Sequence, residues 1–162
     1  MLRDIVGSVQ KLYNCGLYSN VVEVCNLTNC AKDISSDKIP LVQIWQVQVL
    51  LADSYLELRE WKLAEGLYRM ILQQRKQLGK ARQISDMVIS PGNTEHASDN
   101  DIKYKLHQCL VAMGQSNQAI TILQSVPSSG RTVKVNMCLG RLYHLAGMEK
   151  PAVAAYREVR HL

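Results

Sequence analysis

Four histidines and five cysteines are the residues of this chain best suited to metal binding or redox chemistry. A zinc site needs such ligands at short, fixed spacings, as in paired CxxC motifs. Cys15, Cys25, Cys30, Cys109 and Cys138 form no CxxC pair. None of His96, His107, His144 and His161 has a carboxylate or cysteine at ligand spacing. Asp53 and Glu57 share a helix face, but carboxylates four residues apart usually form a solvated face. No GxGxxG, GxxxxGK[ST] or GxSxG motif is present. The expectation is a chain that is not an enzyme, with no catalytic residue, no cofactor and no metal. One modification site stands out. Ser90-Pro91 is a minimal site for a proline-directed kinase. A phosphate there would add roughly −1.5 to −2 charges. The basic run from Arg75 to Arg82 lies nearby in sequence.

The elements that position these residues follow from a repeat of small and aromatic residues. One copy runs Leu139, Gly140, Tyr143, Gly147, Ala152, Tyr156, and another Leu51, Ala52, Tyr55, Trp61, Ala64, Tyr68. In both, the later small residue follows the earlier by twelve positions, and the last aromatic lies four further on. This is the tetratricopeptide pattern of paired helices in units of about 34 residues. Small residues mark close helix crossings, where a larger side chain would force the axes beyond about 8–10 Å. Tyr55, Tyr68, Tyr143 and Tyr156 fall on stripes at helical spacing expected to be buried. Gly147 suits the left-handed position that ends a helix.

Two weaker copies complete the array. Leu106, Leu110, Gly114, Ala119 and Leu123 form one, with His107 in the first small-residue position. Leu12, Gly16, Tyr18, Val21 and Cys25 form the other, with valine in the second. His107 and Val21 should each loosen a helix crossing. Gly114 and Gly147 are 33 apart, as are Ala119 and Ala152, so the register holds between the last two copies. The pattern predicts an all-α, right-handed superhelical tetratricopeptide solenoid of about four helix pairs. The pairs fall at 2–31, 42–78, 101–126 and 131–161, within a single domain over 1–162. The helix-packing residues are Ala52, Tyr55, Ala64, Tyr68, Gly114, Ala119, Gly140, Tyr143, Gly147, Ala152 and Tyr156. A polar turn ends at Pro40, and a longer variable loop covers 79–100.

Composition narrows the function classes. No apolar run of about 18 residues is present, as a membrane span requires. The opening MLRDIVGSVQ lacks a signal peptide's apolar core. The cysteines read as small hydrophobes of an intracellular protein. The net charge of +5 is mild and spread along the chain. A nucleic-acid surface would need a basic stripe with stacking aromatics. Here the aromatics serve the repeat, so neither nucleic acid nor membrane is expected as a partner. Repeat arrays close with a capping helix, polar on its outer face. The chain stops directly after a second helix, with Val153, Tyr156 and Val159 expected to pack forward. That reads as the front part of a longer array.

Arrays of this kind present a groove lined by their first helices. The groove positions should be Val49 and Asp53, Tyr104 and Gln108, Met137 and Arg141. Arg141 alone among them could grip a carboxylate, and Asp53 would repel one. A groove more apolar than basic suits a packed helix or a neighbouring subunit. An alternative is a peptide-binding adaptor of the chaperone or motor-cargo type. Another is an RNA-binding helical repeat.

Residues outside the repeat pattern carry a resemblance. Lys103-Tyr104-Lys105, Pro127, Arg131-Thr132, Asn136-Met137 and Glu149-Lys150-Pro151 are not required by helix pairing. With GLYSNV at Gly16–Val21, Ala52-Asp53-Ser54 and LQQRKQL, they resemble the subunit 7 family of the anaphase-promoting complex, or cyclosome, in its N-terminal repeats. The resemblance implies a non-catalytic scaffold in a cell-cycle-regulated ubiquitin ligase that acts in mitosis and cell division. It implies a homodimer that also packs on other tetratricopeptide subunits of the complex. It further implies an intracellular location, in nucleus and cytoplasm.

Overall fold

The computed structural model of the chain describes residues 2–28, 41–84 and 97–159. Ser90, His96, His161 and Cys30 lie outside them. The described residues form eight α-helices, one short 3-10 turn and no strand. The helices are α1 (Leu2–Asn14), α2 (Tyr18–Leu27), α3 (Leu41–Glu57), α4 (Trp61–Ile84), α5 (Asp99–Ala112), α6 (Ser116–Gln124), α7 (Val133–Leu145) and α8 (Glu149–Val159). The fold is all-α and built from tetratricopeptide-type helix pairs. The chain divides into two compact units, Met1–Ala97 and Ser98–Leu162.

One turn geometry recurs within the pairs. Gly16, Gly114 and Gly147 take φ values of 73°, 74° and 71°, each two residues before the second helix starts. The N–H three residues past the first helix's end bonds back to a carbonyl five residues earlier. Examples are Leu17 to Leu12 at 3.0 Å and Met148 to Tyr143 at 2.8 Å. These bonds satisfy carbonyls that the helix end would otherwise leave open. The α3–α4 pair makes the same turn without glycine. There Arg59 holds φ at 62° and Glu60 N–H donates to Tyr55 O at 2.9 Å.

In the first unit, α1 and α2 both pack on α3, and α3 packs on α4. Ile5, Val6, Val9, Leu12 and Tyr13 form one stripe of α1 at helical spacing. That stripe meets Val21, Cys25, Val47, Leu50 and Leu51 in a common core. Ala52 and Ala64 are fully buried, and Tyr55 is half-buried. Sequence alone placed the end of α4 near Leu78 and the loop start at Gly79. The helix instead runs to Ile84. One helical glycine costs about 1 kcal/mol, and the strong helix formers Lys80, Ala81, Arg82 and Gln83 follow it.

In the second unit, α5 packs on α6, α6 on α7, and α7 on α8. The start of α5 is a capping box. Ser98 Oγ accepts from Asp101 N–H at 3.1 Å, and the Asp101 carboxylate accepts from Ser98 N–H at 3.1 Å. Thr132 caps α7. Pro151 lies in the first turn of α8, where a missing N–H costs no helical bond. Ala119 and Ala152 are buried where α6 and α8 meet their partners, and Tyr143 is buried in α7.

Candidate interaction groove

The residues expected along a first-helix groove divide into two groups. Val49 and Asp53 are buried. Tyr68, on α4 and fully enclosed, donates its hydroxyl to Asp53 Oδ1 at 2.5 Å. The carboxylate is therefore an internal bond of its own helix pair, not a charge repelling ligands in a groove. In the second unit, Gln108, Met137 and Arg141 are exposed and Tyr104 is half-buried.

Between α5 and α7, Gln108 and Arg141 border a cavity of about 330 Å³. Its walls include Val111, Ala112, Leu142 and Leu145, with His107 and Cys138 at its inner side and Arg141 at its rim. His107 was expected to loosen the α5 crossing. The residue is 5% exposed. The ring stacks at a tilt on Tyr104 with centroids 4.6 Å apart, and its Nδ1 contacts the Tyr104 carbonyl. A carbonyl only accepts, so Nδ1 carries the proton and Nε2 keeps its lone pair. Burial pushes the His107 pKa down, and the Tyr104 carbonyl opposes this in part. Cys138 Sγ donates to the Tyr104 hydroxyl at 3.9 Å. Burial, then Cys138, pushes the Tyr104 phenol up. The cavity is thus apolar and neutral on its inner side, with one cation at the edge.

A second cavity, of about 340 Å³, lies between α7 and α8 beside Asn136, Arg131 and Glu158. Near it, two cations close the end of α6. Arg131 Nε donates to Val126 O and its Nη2 to Gln124 O, both at 3.0 Å. Lys103 Nζ donates to Ser125 O at 2.9 Å. Cations at a helix C-terminus satisfy open carbonyls and complement the dipole. Repeat periodicity gave no sign of this clasp. The signal available was that Lys103 and Arg131 belong to the residues that helix pairing does not require.

Two expectations change in the structure. Tyr156 is 36% exposed rather than enclosed, because its ring lies over Gly140 at the surface end of the α7–α8 contact. Cys15 is exposed rather than buried. Arg75 is already engaged in the first unit: its guanidinium lies 5.3 Å from the Trp45 ring centroid, and Nη1 donates to Ala97 O at 2.9 Å. Trp45 Nε1 in turn donates to Gln74 Oε1 at 3.3 Å. Tyr13 meets Tyr18 edge-on, and burial, then the charges of Asp53 and Glu57, push its phenol up to about 12.

Among the described residues no group of three or more His, Cys, Asp or Glu could hold a metal ion. No helix among them is long and apolar enough to cross a membrane. No family model matches the chain. Over 160 residues, 96% of the chain, it is 32% identical to anaphase-promoting complex subunit 7 of Homo sapiens. The Mus musculus protein of the same name is 31% identical over the same extent. A Dictyostelium discoideum protein of that name is 34% identical over 61 residues, 36% of the chain. The chain spans 28% of the length of the human and mouse relatives. Among solved structures, a point mutant of MamA matches with a TM-score of 0.51 at 13% identity, covering 99% of this chain and 96% of MamA. A second MamA structure matches with the same score and identity over 99% and 91%. At that identity the likeness concerns the fold alone.

Proposed function

We propose that this chain, a relative of anaphase-promoting complex subunit 7 over 96% of its length, is a non-catalytic scaffold segment of that complex. The single observation that carries the reading is the extent of that relationship: it takes in both compact units, not an isolated repeat. The helix pairs supply the physical means. Each leaves apolar side chains at its surface, among them Leu63, Val111, Met137, Leu145 and Val153. Burying such area against another helix yields roughly 25 cal/mol per Å². In this reading the chain forms a homodimer and packs on other tetratricopeptide subunits of a cell-cycle-regulated ubiquitin ligase. It works inside the cell, in nucleus and cytoplasm, and contributes no catalytic group.

The test is affinity purification of the tagged chain, in its full-length context, from dividing cells. Recovery of cullin-type and tetratricopeptide subunits of the ligase in near-equal amounts supports the reading. Recovery of chaperones or motor subunits alone sinks it. Dimerisation has its own test in sedimentation velocity. Removing the segment through Leu27 should leave a monomer, and a truncated chain that stays dimeric refutes that part.

A further inference from the structure

The turn between α6 and α7 places an exposed serine two residues before the arginine that closes α6. Ser128–Gly130 form the short 3-10 turn, and Arg131 and Thr132 lead from it into α7. Ser129 is exposed, and Ser129-Gly130-Arg131 puts a cation two residues after its hydroxyl. Arg131 holds the carbonyls of Gln124 and Val126. The turn is also seated against α5: a Cβ on Gly130 would lie 2.4 Å from Asn100 Nδ2.

We propose that Ser129 is a phosphorylation site for a serine kinase that reads a cation two residues past its target. The phosphate then draws the Arg131 guanidinium off the two carbonyls and loosens the join between α6 and α7.

In the transfer, Ser129 Oγ attacks the γ-phosphorus of magnesium-bound ATP. The bond from that phosphorus to the bridging oxygen breaks, ADP leaves, and the hydroxyl proton passes to a carboxylate of the kinase. The product carries roughly −1.5 to −2 charges and three acceptor oxygens. Two residues of chain span at most about 7 Å, within reach of an arginine side chain. A guanidinium pairs with phosphate through two parallel bonds, stronger than its bonds to neutral carbonyls. Phosphate on Ser129 therefore offers Arg131 a better partner than the end of α6 does. Asp99 and Asp101, exposed on either side of Asn100 in the first turn of α5, carry the same sign as the phosphate and oppose the seating of the turn. Lys103 keeps its bond to Ser125 O, so the end of α6 is loosened and not released.

The neighbouring hydroxyls suit a kinase less well. Ser125 Oγ donates to Ile122 O at 2.6 Å. Thr132 also precedes a cation, Lys134, by two residues, but its Oγ1 accepts from Val135 N–H as the cap of α7. Neither Ser128 nor Ser129 is followed by proline, so a proline-directed kinase has nothing to read. A three-residue turn opens locally at little cost, which a kinase needs in order to take the chain extended.

The experiment incubates the full folded chain with magnesium, ATP and the catalytic fragment of protein kinase C, a probe that reads a cation at this spacing. Mass spectrometry should place one phosphate on Ser129 and none on the Ser129→Ala chain at that segment. In the phosphorylated chain, amide exchange at Ile122–Ser125 should rise about tenfold or more, while the middle of α5 stays unchanged. Ser129→Glu should raise the same exchange by a smaller factor. Added to Arg131→Ala, it should raise the exchange no further than Arg131→Ala does alone. Phosphate found only on Thr132, or on Ser129 only after unfolding in urea, overturns the site. A phosphorylated chain with unchanged exchange at the end of α6 overturns the competition for Arg131.

Discussion

The ring of Tyr156 occupies the space that a side chain at position 140 would need. A Cβ added to Gly140 lies 2.5 Å from Tyr156 Cε1 and 2.7 Å from Cζ. Helix α7 therefore carries glycine at the point where α8 lays an aromatic ring across it.

That contact reverses the usual sign of a glycine substitution. In a helix, alanine is normally favoured over glycine by about 0.5–1 kcal/mol. At Gly66, on α4, an added Cβ meets nothing within 4 Å, so Gly66→Ala should stabilise by that amount. Gly140→Ala should instead destabilise by about 1–3 kcal/mol through overpacking. Adding Tyr156→Ala to Gly140→Ala should recover part of the loss. Urea unfolding followed by circular dichroism of the three variants checks the pattern. A stabilised Gly140→Ala variant would refute it.

Tyr68 and Asp53 make a hydrogen bond between two buried side chains. Tyr68→Phe keeps the ring and removes only the hydroxyl, leaving Asp53 short of a donor inside the α3–α4 pair. Hydrogen bonds to charged groups contribute about 1.5–3 kcal/mol, and a loss of that size is expected in equilibrium unfolding. A loss below a few tenths would mean that water reaches the carboxylate.

Arg131 ties the turn before α7 to the end of α6. Arg131→Ala should cost about 1–2 kcal/mol and raise amide exchange in the last turn of α6. Lysine should rescue only partly, because an ammonium cannot span Gln124 O and Val126 O as a planar fork does. Full rescue by lysine would make the contribution one of charge alone.

Arg59 spends conformational energy to close its turn. Its left-handed φ of 62° strains a side-chain-bearing residue where the other turns use glycine. Arg59→Gly should therefore stabilise by about 0.5–1 kcal/mol, seen as a raised urea midpoint at unchanged slope. A lowered midpoint would show that the arginine side chain contributes more than its backbone costs.

His107 makes the second unit sensitive to acid. Its folded pKa lies below its ordinary value, so the unfolded chain takes up the proton first as pH falls. Stability contributed by the neutral ring is fully present above about 6.5. It is lost as pH falls from there through the lower folded pKa. Urea midpoints should decline over that window, and His107→Gln should flatten the decline relative to the parent chain. An equal slope in both proteins would show that other groups carry it.

Leu139, Gly140 and Tyr143, with Ala152 and Tyr156 twelve and sixteen residues after Gly140, made the helix pairs legible. The residues lying beyond the pairing pattern, from Lys103 to Pro151, made the relationship to the anaphase-promoting complex subunit legible. Helical periodicity assigns a residue to a stripe because the spacing of 3.6 residues per turn is local and cumulative. It does not say which atoms lie across from that stripe. Asp53 was read as a groove charge, yet Tyr68 from the following helix encloses it. Tyr156 was read as buried, yet it covers Gly140 while keeping one part in solvent. Lys103 and Arg131 had no role visible in their own segments. Their partners are the carbonyls of Gln124, Ser125 and Val126, at and just past the end of α6, freed only where that helix ends and brought within reach only by chain packing. Local steric and hydrophobic preferences are thus written in residue order. The partners of polar groups were decided by tertiary structure, because a hydrogen bond depends on distances between segments that sequence spacing does not set.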